Sequence, residues 1–176
     1  MSFDVAADSY TRFMGRFAVP LADEFVAHVD ARPGQRALDV GCGPGALTAV
    51  LVQRLGPAAV AAVEPSAPFF AAAHARFPDV DVRQAHAEDL PFADDTFDLT
   101  LAQLVVHFMS DPIAGLREMA RVTRPDGVVA ATVWDYGTDR SPLAPFWNAA
   151  KALDPDVVGE SALAGARTGH LAELCV

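Results

Sequence analysis

Between Ala37 and Thr48 the chain reads Ala-Leu-Asp-Val-Gly-Cys-Gly-Pro-Gly-Ala-Leu-Thr, and no other run limits the fold as tightly. A short apolar stretch carrying Asp39 is followed by glycines at alternate positions, Gly41, Gly43 and Gly45. A helix-forming stretch begins at once. Glycine lacks a Cβ, so the backbone can turn sharply there and a bound molecule can approach its N–H groups. The helix behind the loop adds unpaired amides at its N-terminus. The pattern predicts a strand, a ligand-cradling loop and a helix in succession.

The chain beyond this unit repeats the alternation, as a parallel sheet built from βαβ units requires. Strands are expected over Ala37–Val40, Ala58–Val63, Val80–Ala85, Phe97–Ala102 and Val128–Val133. Helices are expected from Gly45 to Leu55, from Ser66 through Phe77 and from Pro112 to Val122. An irregular Glu88–Asp95 segment precedes the fourth strand, and Pro125-Asp126-Gly127 marks a turn before the fifth. Upstream, Ser9–Val29 reads as one or two helices ended by Pro33-Gly34. Downstream, Pro145–Leu153 and Thr168–Cys175 read as helices.

At 176 residues, 52% of them hydrophobic, this is one folded domain and not a disordered chain. Thirteen basic against 23 acidic residues leave a formal charge of −10. That balance argues against a nucleic-acid backbone or an anionic lipid surface as the main partner. No signal peptide or membrane span is visible. The two cysteines, Cys42 and Cys175, show neither metal-ligand nor disulfide spacing, so no metal and a reduced, cytoplasmic setting are expected.

The loop fits two ligand classes. Gly41-x-Gly43-x-x-Ala46 satisfies the dinucleotide fingerprint, with Glu64 about 20 residues further on to accept ribose hydroxyls. A sulfonium nucleoside would use the same loop and the same acid. Asp39 separates them, because its charge would repel a pyrophosphate and attract a cationic amino acid end.

The stretches quoted so far, taken with three others, resemble the class I S-adenosylmethionine-dependent methyltransferases of the small-molecule type. "ALDVGCGPG" is similar to the family's first motif and "AVEPS" to its acidic second-strand end. "AEDLPFADDTFDLTLAQLVVHF" is similar to the adenine loop, fourth strand and following loop. "LREMARVTRPDGVVAATVW" is similar to the fifth-strand segment, with Asp126 in place of the commoner glycine. The matches run from Ala37 to Trp134 in the family's order.

The resemblance implies a doubly wound, Rossmann-like α/β fold with helices on both faces of a mainly parallel sheet. It also implies S-adenosyl-L-methionine as cofactor. Asp39, Gly41 and Gly43 would surround the methionine end, with Cys42 and Gly45 nearby. Glu64, followed by Pro65, would hold the ribose. Ala87 and Glu88 would meet the adenine edge, and Gln103 the amino acid part or the methyl group. His86 stands where relatives often carry an acid, which shifts the expected adenine contact toward Glu88. His107 is the candidate general base for in-line methyl transfer to a small-molecule acceptor. Tyr10, Arg12, Phe13, Met14 and Arg16 would belong to a helical lid over residues 1–34, ahead of a cofactor-binding core at 35–136. Trp134 and Tyr136 are candidates for the acceptor pocket.

The family sheet has seven strands, and only five are legible, so residues 137–176 form an incomplete C-terminal part lacking the last two. Truncation is favoured over a natural short form and over an edge covered by a partner chain, such as a homodimer mate. Two other functions stay open: a module that binds the nucleoside without catalysis, and an NAD-dependent oxidoreductase. The second is disfavoured by Asp39 and by the lack of a catalytic Tyr-Lys or His-Asp arrangement.

Overall fold

The computed structural model describes residues 7–136 and 141–174, with side chains from residue 12 on. Helix α1 (Ala7–His28) runs unbroken through Pro20 and buries Ala18, Ala22, Phe25 and Val26, which recur at helical spacing. Strand β1 (Ala37–Val40) follows, fully buried, then α2 (Ala46–Leu55). Pro57–Ala59 close a 3₁₀ turn, so β2 (Val60–Val63) begins two residues later than its apolar run suggests. Helix α3 (Ala67–Arg76) leads to β3 (Asp81–Arg83), a shorter strand than expected. Strand β4 (Phe97–Gln103) is buried along nearly its whole length.

Helix α4 (Pro112–Val122) has the bounds its sequence predicts, and the cause is local. Asp111 caps it, its Oδ1 accepting the Ala114 N–H at 3.0 Å, and Pro112 occupies the first turn, where a missing N–H costs nothing. Strand β5 (Thr123–Thr132), α5 (Ala144–Leu153) and α6 (His170–Leu174) complete the described chain. Cys175 and the side chain of Tyr10 lie outside the described residues.

All strand pairs are parallel, in the order β3-β2-β1-β4-β5. Period-two alternation sorts the side chains of β1. Leu38 and Val40 join Leu116, Met119 and Val122 of α4 in one core layer. Ala37 joins residues of α1 and α2 on the opposite face. Asp39 shares that second face, beneath the start of α2, so the strand pattern itself puts a carboxylate under the glycine loop.

The turn expected before β5 lies inside it. Thr123 already pairs with Phe97, and regular pairing resumes at Leu99 with Val128. The intervening Pro125-Asp126-Gly127 bulges out, with Asp126 at φ 66°. Arg124 forms an ion pair with Asp98, and Asp98 Oδ2 also accepts the Arg36 N–H at 2.7 Å. These bonds and the Thr123 hydroxyl, 2.7 Å from the Met119 carbonyl, hold the strand start ahead of the bulge. Among the described residues there is no sixth or seventh strand, and β5 has no second strand neighbour. No helix among them is long and apolar enough to cross a membrane.

Candidate functional site

Strand order reverses between β1 and β4, and such a crevice at the carboxyl ends of parallel strands is where open α/β sheets bind ligands. A trough opens there. Its near half, about 710 Å³, is lined by Asp39, Gly41, Cys42, Gly43 and Gln103, with Ala18 contributed by α1. Its far half, about 1320 Å³, reaches Ala87 and Glu88. Glu64, Pro65, Val105 and Phe108 line both halves and join them into one channel.

The glycine loop is held from β2. Gly41 and Cys42 both donate to the Val63 carbonyl, at 2.8 and 3.0 Å. Gly43 N donates to Glu64 Oε2 at 2.8 Å, and Gly45 N to the Cys42 carbonyl at 2.9 Å. The sequence suggests a loop whose amides are free for a ligand. The structure corrects this, because the three glycines and Cys42 have already spent theirs. A pyrophosphate would find few donors here and two carboxylates.

Those carboxylates are Asp39 and Glu64, both buried. Asp39 Oδ2 accepts the Thr48 hydroxyl at 2.6 Å, and burial pushes its pKa up to about 7, with Glu64 adding to the rise. Glu64 accepts Gly43 N through one oxygen and Ser66 N, at 2.9 Å, through the other. Burial raises its pKa as well, against the opposing pull of those two N–H groups. Each carboxylate oxygen retains a second lone pair for a ligand hydroxyl.

Gln103 is half satisfied. Its Nε2 donates to the Ala18 carbonyl of α1 at 2.9 Å, while its buried Oε1 has no hydrogen-bond partner. A buried acceptor without a donor costs roughly 1–3 kcal/mol, and a ligand ammonium in the trough would satisfy it. Leu104 follows in a left-handed conformation, φ 61°, tied through its N–H to the Thr132 carbonyl at 2.8 Å. This turn sets Val105 against Gly41, where an added Cβ would stand 2.6 Å from Val105 Cγ1.

Three expected site residues sit otherwise than the sequence implies. Gly45 does not line the trough: its missing Cβ makes room for the Phe77 ring, which would lie 2.3 Å from it. Glu88 reaches the far half, but its Oε1 accepts Ser110 N at 2.7 Å and Asp111 N at 3.1 Å, tying down the segment after β4. His107 is not brought into the trough at all. It lies buried in a 3₁₀ turn with neither ring nitrogen hydrogen-bonded, and burial lowers its pKa to about 4. Its neighbour Phe108 takes the lining position. Val106 and His107 are the two buried side chains of this turn, and an imidazole so placed is a poor proton acceptor near neutrality.

Cys42 is equally unsuited to nucleophilic work, since burial and the nearby acids push its thiol well up. Trp134 packs edge-on against Phe17 of α1, and the Tyr136 hydroxyl donates to Glu160 at 2.6 Å; neither lines the trough. Of the lining residues not anticipated, Val105 and Phe108 had a usable signal, two apolar residues just past a strand end on the ligand side of the sheet. Ala18 and Phe69 had none.

A family model described as "Methyltransferase domain" matches residues 38–131. The malonyl-[acyl-carrier protein] O-methyltransferase of Erwinia billingiae is 34% identical over 128 residues, 73% of this chain and 50% of that protein. The phosphatidylethanolamine N-methyltransferase of Cereibacter sphaeroides is 31% identical over 156 residues, 82% of this chain and 74% of that protein. Among solved structures, a SAM-dependent methyltransferase from Thermotoga maritima, described as a possible histamine N-methyltransferase, superposes with a TM-score of 0.70. It is 25% identical, and the match covers 96% of this chain and 74% of that one. The chain spans about half the length or less of several curated relatives it matches. Matched over more than half its length, the chain belongs to the methyltransferase domain family, with the fold of the class I S-adenosylmethionine-dependent enzymes.

Proposed function

We propose that the trough binds S-adenosyl-L-methionine and that the protein directs methyl transfer from it to a small-molecule acceptor. The observation that carries this reading is an acid-lined loop whose own amides are consumed. Asp39 and Glu64 lie beside glycines that have no N–H groups left for phosphate, so the site suits a cationic amino acid joined to a nucleoside. The residues fit such a group. Gln103 Oε1 is a buried acceptor awaiting an ammonium, Glu64 has lone pairs for ribose hydroxyls, and Gly43 has open space where a Cβ would stand. The relative named as a phosphatidylethanolamine N-methyltransferase supports a non-protein acceptor here.

The chemistry this nucleoside supplies when bound is an electrophilic methyl carbon on a positively charged sulfur. The chain's part is then positioning and exclusion of water. Val105 and Phe108 wall the channel with apolar surface, while Asp39 in the near half and Glu64 at the junction of the halves supply its polar groups. No residue lining the trough is placed as a strong base, so the acceptor would bring an acidic proton or lose it to solvent.

Calorimetry with S-adenosylmethionine, S-adenosylhomocysteine and NAD tests the reading: the first two should bind and NAD should not. Binding of NAD alone would defeat it. Release of labelled methyl across a panel of small acceptors then separates an enzyme from a binding module.

The lid reading has its own test in Gln103, the side chain that joins α1 to the trough. Gln103→Leu should weaken S-adenosylhomocysteine on the order of tenfold and speed amide exchange in residues 7–28. Unchanged exchange would show that α1 is held in other ways.

A further inference from the structure

We infer that the cleft between the end of β5 and helix α5 is a second binding site, for a small molecule that carries an ammonium and a carboxylate together. The cleft holds about 290 Å³ and shares no lining residue with the trough. Its walls are Tyr136 beyond β5, one face of α5, and the 3₁₀ turn Glu160–Ala162. Trp147, Asn148 and Lys151 recur at helical spacing, which is why that face presents an indole, an amide and an ammonium to one space. Ser141, just ahead of α5, completes the lining. Glu160 also acts electrostatically on buried His107, whose neighbour Phe108 walls the trough, so the two sites are close.

Two opposite charges line this space without meeting across it. Neither Glu160 nor Lys151 forms an ion pair among the described residues. One oxygen of Glu160 is taken, since Oε2 accepts the Tyr136 hydroxyl at 2.6 Å and the Trp147 Nε1–H at 3.3 Å. Burial and that carboxylate push the Tyr136 phenol up, so it stays a donor. Oε1 is left open for an ammonium, beside aromatic surface that favours a cation. Ser141 is 5% exposed, and its buried hydroxyl has no hydrogen-bond partner. A hydroxyl donates to a carboxylate or accepts from an ammonium, so either end of such a ligand would satisfy it. A purely structural tie needs the Tyr136–Glu160–Trp147 bonds, but neither an unpaired Lys151 nor an orphaned hydroxyl. A lone anion would meet Glu160 and a lone cation Lys151, whereas a molecule with both charges pairs each of them.

The full chain would be titrated calorimetrically with glycine, β-alanine and 4-aminobutanoate, which hold the two charges at increasing separation. Propylamine and propionate, with one charge each, are the controls. At least one zwitterion should bind more tightly than either control, on the order of tenfold. Lys151→Met, a change at an exposed position, should return that zwitterion to the propylamine level without weakening propylamine. Lys151 does not line the trough, so its loss separates the cleft from any amino acid site there. Ser141→Ala should weaken the zwitterion severalfold without lowering the melting temperature, because its hydroxyl has no partner in the fold to lose. A structural role for Ser141 would do the reverse. Propylamine or propionate binding as tightly as every zwitterion, full affinity in Lys151→Met, or no binding of any zwitterion overturns the proposal. Calorimetry with S-adenosylhomocysteine decides the cofactor reading separately, and neither result fixes the other.

Discussion

At pH 8 the cofactor-free Asp39→Asn protein should melt several degrees above the wild type, yet bind S-adenosylmethionine on the order of 10- to 100-fold more weakly. Both effects come from one buried carboxyl. Asp39 is almost fully enclosed, with the Thr48 hydroxyl on one oxygen, and burial lifts its pKa from 3.8 to about 7. An acid whose pKa is raised on folding leaves stability intact below pH 4 and removes it as pH climbs toward 7. The difference amounts to a few kcal/mol at pH 8 and is much smaller at pH 5. Asparagine never ionises and can still accept from Thr48, though its amide N–H₂ takes back roughly 1–3 kcal/mol.

The net gain should therefore be clear at pH 8 and vanish or reverse at pH 5. A cationic ligand reverses the balance, because it compensates the ionised carboxylate, and that interaction is what the variant loses. Melting curves at the two pH values, with and without cofactor, check the whole argument. An equal shift at pH 5 and pH 8 would mean that Asp39 is ionised throughout and serves structure. Unchanged affinity would remove it from the site.

Asp39 also shows how far the sequence carries. That it stands beside a glycine loop is plain from the order of residues. That it is buried and hard to ionise depends on α2 covering that face of β1, which no local pattern states. The same division runs through the molecule. Helix α4 is legible to the residue because Asp111 and Pro112 fix its start locally. The bulge in β5 is not, since it depends on Thr123 finding Phe97 across the sheet. The amides of Gly41 and Cys42 look free in the sequence and are consumed in the fold, because their acceptor, Val63, lies on another strand. His107 fails for a related reason: its position after β4 is correct for a base, but the turn of Val106–Phe108 points its neighbour into the trough instead.

The glycines of the loop, equivalent on paper, should separate under substitution. Gly45→Ala is expected to cost the fold roughly 2–5 kcal/mol, the sum of a left-handed backbone and an overpacked contact. Gly45 sits at φ 88°, and its new Cβ would lie 2.3 Å from Phe77 Cε2, on a ring that also carries the Arg76 guanidinium 4.9 Å above it. Gly43→Ala should cost only about 1–2 kcal/mol, since at φ 55° its Cβ meets nothing within 4 Å. The open space it would fill belongs to the trough, so Gly43→Ala should instead weaken S-adenosylhomocysteine on the order of 100-fold. One glycine thus protects the packing behind the loop, the other the cavity in front of it. Thermal melts and calorimetry on both variants test the split. Adding Phe77→Leu gives a further check, because trimming the ring should relieve Gly45→Ala by about 1–3 kcal/mol and leave Gly43→Ala unaffected. Equal melting losses in the two alanine variants, or additivity of Gly45→Ala with Phe77→Leu, would show that the loop is not braced by that ring.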